Sequence, residues 1–232
     1  MIRVLLTAVE PFGSDAVNAS WEACRLVADA PPADLHLELV QLPCVFGKSL
    51  TVLHDAVSRT EPDLVVVTGQ GANRPDITVE QVAINLDDAV APDNKGNQPV
   101  DEPVVAGGPD AYFSSLPVKA CVAAMRKAGI PASVSHTAGT YVCNHIAYGL
   151  GHVIATERPE MRGGLAHVPY TPAQAASRER RPSLASTTAA EGLRVLLRTA
   201  AAAVQEPRRP DAGAAAPARR TWLSRKLSGP LR

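Results

Sequence analysis

Cys143 stands where a thiol can become a nucleophile. In Ser135-His136-Thr137-Ala138-Gly139-Thr140-Tyr141-Val142-Cys143-Asn144-His145, a strand pattern ends near His136, a turn of small residues follows, and a helical pattern starts at Val142. Residue 143 therefore falls in the first helical turn. Free backbone N–H groups and the positive end of the helix dipole favour a thiolate there, and the same groups can hold an oxyanion. A strand-to-helix turn is also a recurrent way of presenting a nucleophile in α/β proteins. Position alone does not decide the matter. The four cysteines (Cys24, Cys44, Cys121, Cys143) form no CxxC pair, and a buried cysteine is ordinarily a small apolar core residue.

A thiolate needs a base that can later return a proton. Of the six histidines, His36 and His54 fall in undistinguished strand and helix patterns. His145 follows Cys143 by two and so points to a different side of the helix. His145 and His152 share a helical face, but two histidines alone make a weak metal site. His167 ends the run Gly163-Gly164-Leu165-Ala166-His167-Val168-Pro169-Tyr170, a short strand stopped by Pro169. Open α/β sheets gather their reactive groups at such strand ends, although a hydrogen-bonded structural histidine fits the same pattern. An acid comes from Ile77-Thr78-Val79-Glu80-Gln81-Val82-Ala83-Ile84-Asn85, where Glu80 shares a face with Thr78 and Val82. It is either a surface residue of an edge strand or a buried carboxylate paired with an imidazole.

The elements that must position these residues alternate along the chain. Strand patterns cover Ile2 to Thr7, Leu35 to Leu42, Asp63 to Thr68, Ile77 to Ile84, Ala132 to His136 and Gly164 to Val168. Helical patterns cover Asn18 to Ala28, Gly47 to Arg59, Leu116 to Ala128, Val142 to Thr156 and Thr188 to Val204, the last opening on a capping box, Thr188-x-x-Glu191. The run Leu64-Val65-Val66-Val67 is apolar without alternation, as a parallel strand covered on both faces requires. The expected fold is a single-domain α/β/α open sandwich around a mostly parallel twisted sheet. It spans residues 1–205.

Residues 85–115 read as one long loop, usually functional or disordered when that long. Residues 206–232 form a basic tail rich in Ala, Pro and Arg, with seven basic residues against two acids. It reads as disordered and solubilising, with Trp222 and Leu223 leaving room for weak docking. Over the whole chain, Lys+Arg and Asp+Glu balance at 23 each, which gives no support for a nucleic-acid-binding surface. The N-terminal run Met1 to Leu6 lacks the length and cleavage site of a signal peptide, and no stretch is long and apolar enough to span a bilayer. Free thiols and a cytoplasmic setting follow as expectations.

Together these segments resemble the pyroglutamyl peptidase type I (pyrrolidone-carboxylate peptidase) family. The match rests on Glu10-Pro11-Phe12-Gly13 with Asn18, on Gly69-Gln70-Gly71 followed by Thr78 to Asn85, and on Asp93-Asn94-x-Gly96-Asn97-Gln98-Pro99 running to Tyr112-Phe113-Ser114-Ser115-Leu116-Pro117. Ser135 to His145 and His167-Val168-Pro169-Tyr170 complete it. The blocks keep the family's order and cover roughly residues 2 to 175. The resemblance implies a triad of Cys143, His167 and Glu80, and removal of an N-terminal pyroglutamyl residue from peptides without metal or cofactor. It also implies a cytoplasmic homo-oligomer, a dimer or tetramer. Phe12, Tyr141 and Val142 match positions lining the lactam pocket, and Asn18 and Gln70 match polar positions nearby. Val9 stands where the family usually has an aromatic ring, Val90 where relatives commonly carry an Arg, and Tyr141 in place of a frequent Phe. The segment Ser177-Arg178-Glu179-Arg180-Arg181 and the basic tail fall outside the blocks that carry the resemblance. Two rival readings stay open: a thiol amidase of altered small N-acyl specificity, and a catalytically silent binding relative.

Overall fold

The computed structural model describes residues 1–204; the basic tail, with Trp222 and Leu223, lies outside the described residues. Six strands form the central sheet: β1 (Ile2–Val9), β2 (Leu35–Leu42), β3 (Leu64–Gln70), β4 (Ile77–Glu80), β7 (Ala132–Ser135) and β8 (Arg162–Val168). Their order is β2-β1-β3-β8-β4-β7. Every adjacent pair is parallel except β4 and β8, which run antiparallel. The fold is thus a mixed α/β domain with a mostly parallel sheet, as expected.

Strand parity decides which layer each residue meets. In β3, Leu64 and Val66 join one apolar cluster, while Val65 and Val67 join the other. The first cluster packs beneath α1 (Ala19–Asp29), α3 (Val118–Lys127) and α6 (Ser186–Val204), and the second beneath α2 (Lys48–Thr60) and α4 (Val142–Thr156). All seven β3 residues are buried, which explains the unbroken apolar run.

Three expectations need correction. The strand pattern from Ile77 to Ile84 breaks at Gln81. β4 stays in the main sheet, while β5 (Val82–Ile84) leaves it to pair antiparallel with β6 (Ala111–Phe113). Gln81 makes the switch: its N–H donates to Ser135 O and its carbonyl accepts from Ser114 N. Val82-Ala83-Ile84 keeps the strand-like composition of Ile77 to Glu80, so the local pattern does not mark the break. The segment 85–115 is accordingly no structureless loop. It contains β6 and an Asp87–Glu102 bridge, and Asn94 Nδ2 donates to Glu10 Oε1 and Pro11 O. Finally, α6 begins at Ser186, two residues before the supposed Thr188 cap, directly after Leu184 N–H bonds Tyr170 O. A short α5 (Pro172–Ala176) carries the capping box instead, between Thr171 and Gln174. Among the described residues no helix is long and apolar enough to cross a membrane.

Candidate active site

Parity carries three separate elements to one place. On β8, Leu165 belongs to the α4-side cluster, so His167, two residues on, points toward α4 as well. On β4, Ile77 and Val79 face the opposite layer, which turns Thr78 and Glu80 to the α4 side. Thr78 lies directly across from His167 in the antiparallel register, and Glu80 reaches diagonally to it. The distance from His167 Nδ1 to Glu80 Oε1 is 2.8 Å. Glu80 is 2% exposed and His167 4%, so the buried-acid reading of Glu80 holds over the surface one.

The third element is the start of α4. Its N-cap Tyr141 is extended and makes no side-chain cap, and Cys143 is the second helical residue. Cys143 is hydrogen-bonded to His167. With Nδ1 committed to Glu80, the imidazole turns Nε2 to the sulfur. A Cβ built on Gly69 would lie 2.7 Å from Cys143 Sγ and 3.2 Å from His167 Nε2. Gly69 pairs with His167 in the β3–β8 register and faces the same layer, so its missing side chain is the space the thiol and imidazole occupy. Gly69→Ala is therefore expected to fold but to push sulfur and ring apart, lowering kcat about 100-fold or more. Steady-state kinetics with a melting curve checks this; wild-type kcat would show that the site does not need the space.

Burial alone would lower the His167 pKa, but the ring's hydrogen bonds to Cys143 and Glu80 and their negative charges outweigh it, raising it to about 9. The ring is thus an imidazolium at neutral pH, beside a sulfur at a helix N-terminus. The other thiols differ. Burial pushes Cys24, Cys44 and Cys121 up to about 12, leaving them protonated and inert.

A second imidazole–carboxylate pair lies nearby and serves a different purpose. His145 Nδ1 is 2.7 Å from Asp87 Oδ2, but its Nε2 accepts the N–H of Gly47 at 2.9 Å. With both nitrogens committed, His145 pins the 85–115 segment and the start of α2 to α4 and cannot act as a base. Asn144 does similar work. Its amide bonds the N–H and carbonyl of Ile84 and the carbonyl of Leu86, fixing the first turn of α4 to β5.

The five residues expected to line a pocket divide. The rings of Phe12 and Tyr141 lie 5.9 Å apart, and the Tyr141 hydroxyl donates to Pro92 O. The side chains of the other three make defined contacts of their own. Val142 is fully buried in the α4-side cluster, the fate of an apolar residue on the inner face of a first helical turn. Asn18 caps α1 by accepting from Ser20 N and donates to Glu10 O. Gln70 Oε1 accepts from Ala19 N and Gln174 Nε2, while its own amide donates to Asp15 Oδ2. Of the departures, Val9 is buried in the same cluster as Val142, whereas Val90 is 92% exposed.

Sequence reasoning missed Gly69, Asn144 and the Asp87 partner of His145. A glycine ending a β-branched run was the one signal for Gly69. Missed as well was Arg74, whose Nη2 lies 2.9 Å from Glu80 Oε1. Among the described residues no group of three or more His, Cys, Asp or Glu is placed to hold a metal ion.

A thiol, an imidazole and a buried carboxylate in series, with the thiol at a helix start beside the strand ends of an α/β sheet, define the class of a cysteine hydrolase. Comparison with known proteins narrows this. The family model for pyroglutamyl peptidase matches residues 2–203. The pyrrolidone-carboxylate peptidase of Streptomyces coelicolor is 60% identical over 201 residues, 87% of this chain and 93% of its own length. Pyroglutamyl peptidase I from Bacillus amyloliquefaciens superposes with a TM-score of 0.84 at 46% identity, covering 87% of this chain and 98% of that one. The pyrrolidone carboxyl peptidase of the hyperthermophile Pyrococcus furiosus superposes with a TM-score of 0.84 at 34% identity, covering 88% and 100%. The chain belongs to the pyroglutamyl peptidase family.

Proposed function

We propose that this protein is a cysteine exopeptidase that removes an N-terminal pyroglutamyl residue from peptides, with Cys143 as nucleophile, His167 as proton carrier and Glu80 as the acid that orients it. The observation that carries this reading is the hydrogen-bonded series Cys143–His167–Glu80 in a chain of this family. The thiol proton passes to His167 Nε2 and the sulfur attacks the acyl carbonyl of the pyroglutamyl residue. First-turn N–H groups of α4 receive the oxyanion. The tetrahedral adduct collapses to a thioester as the imidazolium protonates the leaving amine. His167 then takes a proton from water, whose hydroxide releases pyroglutamate and restores the thiol. The lactam is small and uncharged, which suits walls made by the Phe12 and Tyr141 rings. No cofactor has a part in these steps.

The test is hydrolysis of a pyroglutamyl amide between pH 6 and 10. Amine departure needs the imidazolium, so kcat/KM is expected to fall as pH rises through about 9, where His167 loses its proton. Folded protein without turnover would sink the reading, and faster turnover of other N-acyl amides would move it to altered specificity. A cytoplasmic location suits the reduced thiols. Assembly as a dimer or tetramer belongs to the same reading, and Val100 and Phe113, 68% and 71% exposed on the 85–115 segment, are apolar side chains that such an interface would cover. A monomeric mass in sedimentation would remove that part.

A further inference from the structure

We propose that Arg74 is a fourth member of the site, a positioning residue that holds the Glu80 carboxylate against His167 and ties it to the segment leading into the nucleophile. The inference rests on the catalytic reading of Cys143, His167 and Glu80.

Three donors converge on one oxygen of Glu80. Oε1 lies 2.8 Å from His167 Nδ1, 2.9 Å from Arg74 Nη2 and 3.4 Å from Thr78 Oγ1. The other oxygen, Oε2, is buried without a hydrogen-bond partner. A carboxylate this deep is costly unless paired, and its pairing therefore depends on what meets Oε1. Arg74 reaches further. Nη1 donates to Ser135 Oγ at 2.7 Å and Nη2 to Thr137 O at 2.7 Å. Ser135 ends β7, and the chain runs from Thr137 through Gly139 to Cys143, so one guanidinium spans the acid and the root of the nucleophile's turn. The fork of an arginine suits this and a lysine does not. Gly71 makes room for it: a Cβ there would lie 2.3 Å from Arg74 Cγ.

The charges explain why a permanent cation is useful. The charged and titratable groups around His167 are Cys143 from α4, Glu80 from β4 and Arg74 from the segment before β4. With thiolate and imidazolium formed, the four charges cancel. In the acyl-enzyme the sulfur is neutral and His167 has given up its proton, so Glu80 would be a bare buried anion without Arg74. With it, the pair remains neutral. Arg74 thereby lets the imidazole release its proton to the leaving amine instead of clinging to it.

The experiment compares Arg74→Gln and Arg74→Lys, alone and combined with Glu80→Gln, by steady-state kinetics over pH and by the pH dependence of Cys143 alkylation with iodoacetamide, read by mass spectrometry. Melting curves confirm that each variant is folded. Arg74→Gln is expected to lower kcat about tenfold with KM nearly unchanged, and to move the alkaline limb upward because the carboxylate then faces the imidazolium alone. Lys, a single point charge, is expected to bring the limb back while restoring kcat only in part. With Glu80→Gln already present, Arg74→Gln is expected to cost clearly less than it does alone, since only its neutral hydrogen bonds remain to be lost. An unmoved limb and alkylation profile, or the same loss with and without the carboxylate, would overturn the role. Because alkylation needs no substrate, it tests Arg74 even if pyroglutamyl amides are not turned over, an outcome that would fail the proposed function separately.

Discussion

Cys143→Ala is expected to fold like the wild type and to lose pyroglutamyl amide hydrolysis by at least about 10⁵-fold. The fold survives because the side chain is small, only partly buried and hydrogen-bonded to His167. Activity does not, because nothing nearby can replace the sulfur. Cys24, Cys44 and Cys121 are buried with their thiols pushed up to about 12, and His145 has both nitrogens engaged. The variant also tests the electrostatics. Loss of the Cys143 hydrogen bond and charge removes raising influences on His167 while the lowering effect of burial stays, so the ring's pKa should fall from about 9. Histidine titration followed by NMR reads this directly. Residual turnover within tenfold of wild type would end the case for a thiol enzyme, and an unmoved His167 titration would show that sulfur and ring do not interact.

Glu80→Gln has the second-largest expected effect, a loss of roughly 10³-fold in kcat/KM. The reason is charge more than geometry. Oε1 accepts from both Arg74 and His167, so those two donors will select the amide oxygen of glutamine for the same place and keep the imidazole in its tautomer. What disappears is the negative charge that stabilises the imidazolium. The alkaline limb should therefore move below pH 9, by about one pH unit or more. The sign is opposite to that for Arg74→Gln, so a shared origin in general loosening of the site would be exposed by limbs moving the same way. A rate within threefold of wild type would remove Glu80 from the mechanism.

The amino-acid sequence by itself determined most of the frame and singled out the candidate reactive groups. Strand and helix patterns are local, and the apolar run of β3, the small-residue turn before Cys143 and Pro169 after His167 each act on their own neighbourhood. The family resemblance, spread over ordered blocks, named Cys143, His167 and Glu80 together although they lie far apart along the chain. What the tertiary structure decided was everything that depends on a partner. Glu80 was as good a surface acid as a buried one until β4 was seen between β8 and β7, with Thr78 set against His167. Asn18 and Gln70 carry groups that could hold a lactam, and the fold decided their partners, a helix cap for one and a buried amide network for the other. Gly69 and Arg74 had no periodic signature, because one matters for the space it leaves and the other for a carboxylate brought to it by the chain's path. The sequence placed one thiol, Cys143, at the head of a helix. Only the packing of β3, β8 and β4 beneath that helix gave the thiol its imidazole, and the imidazole its acid.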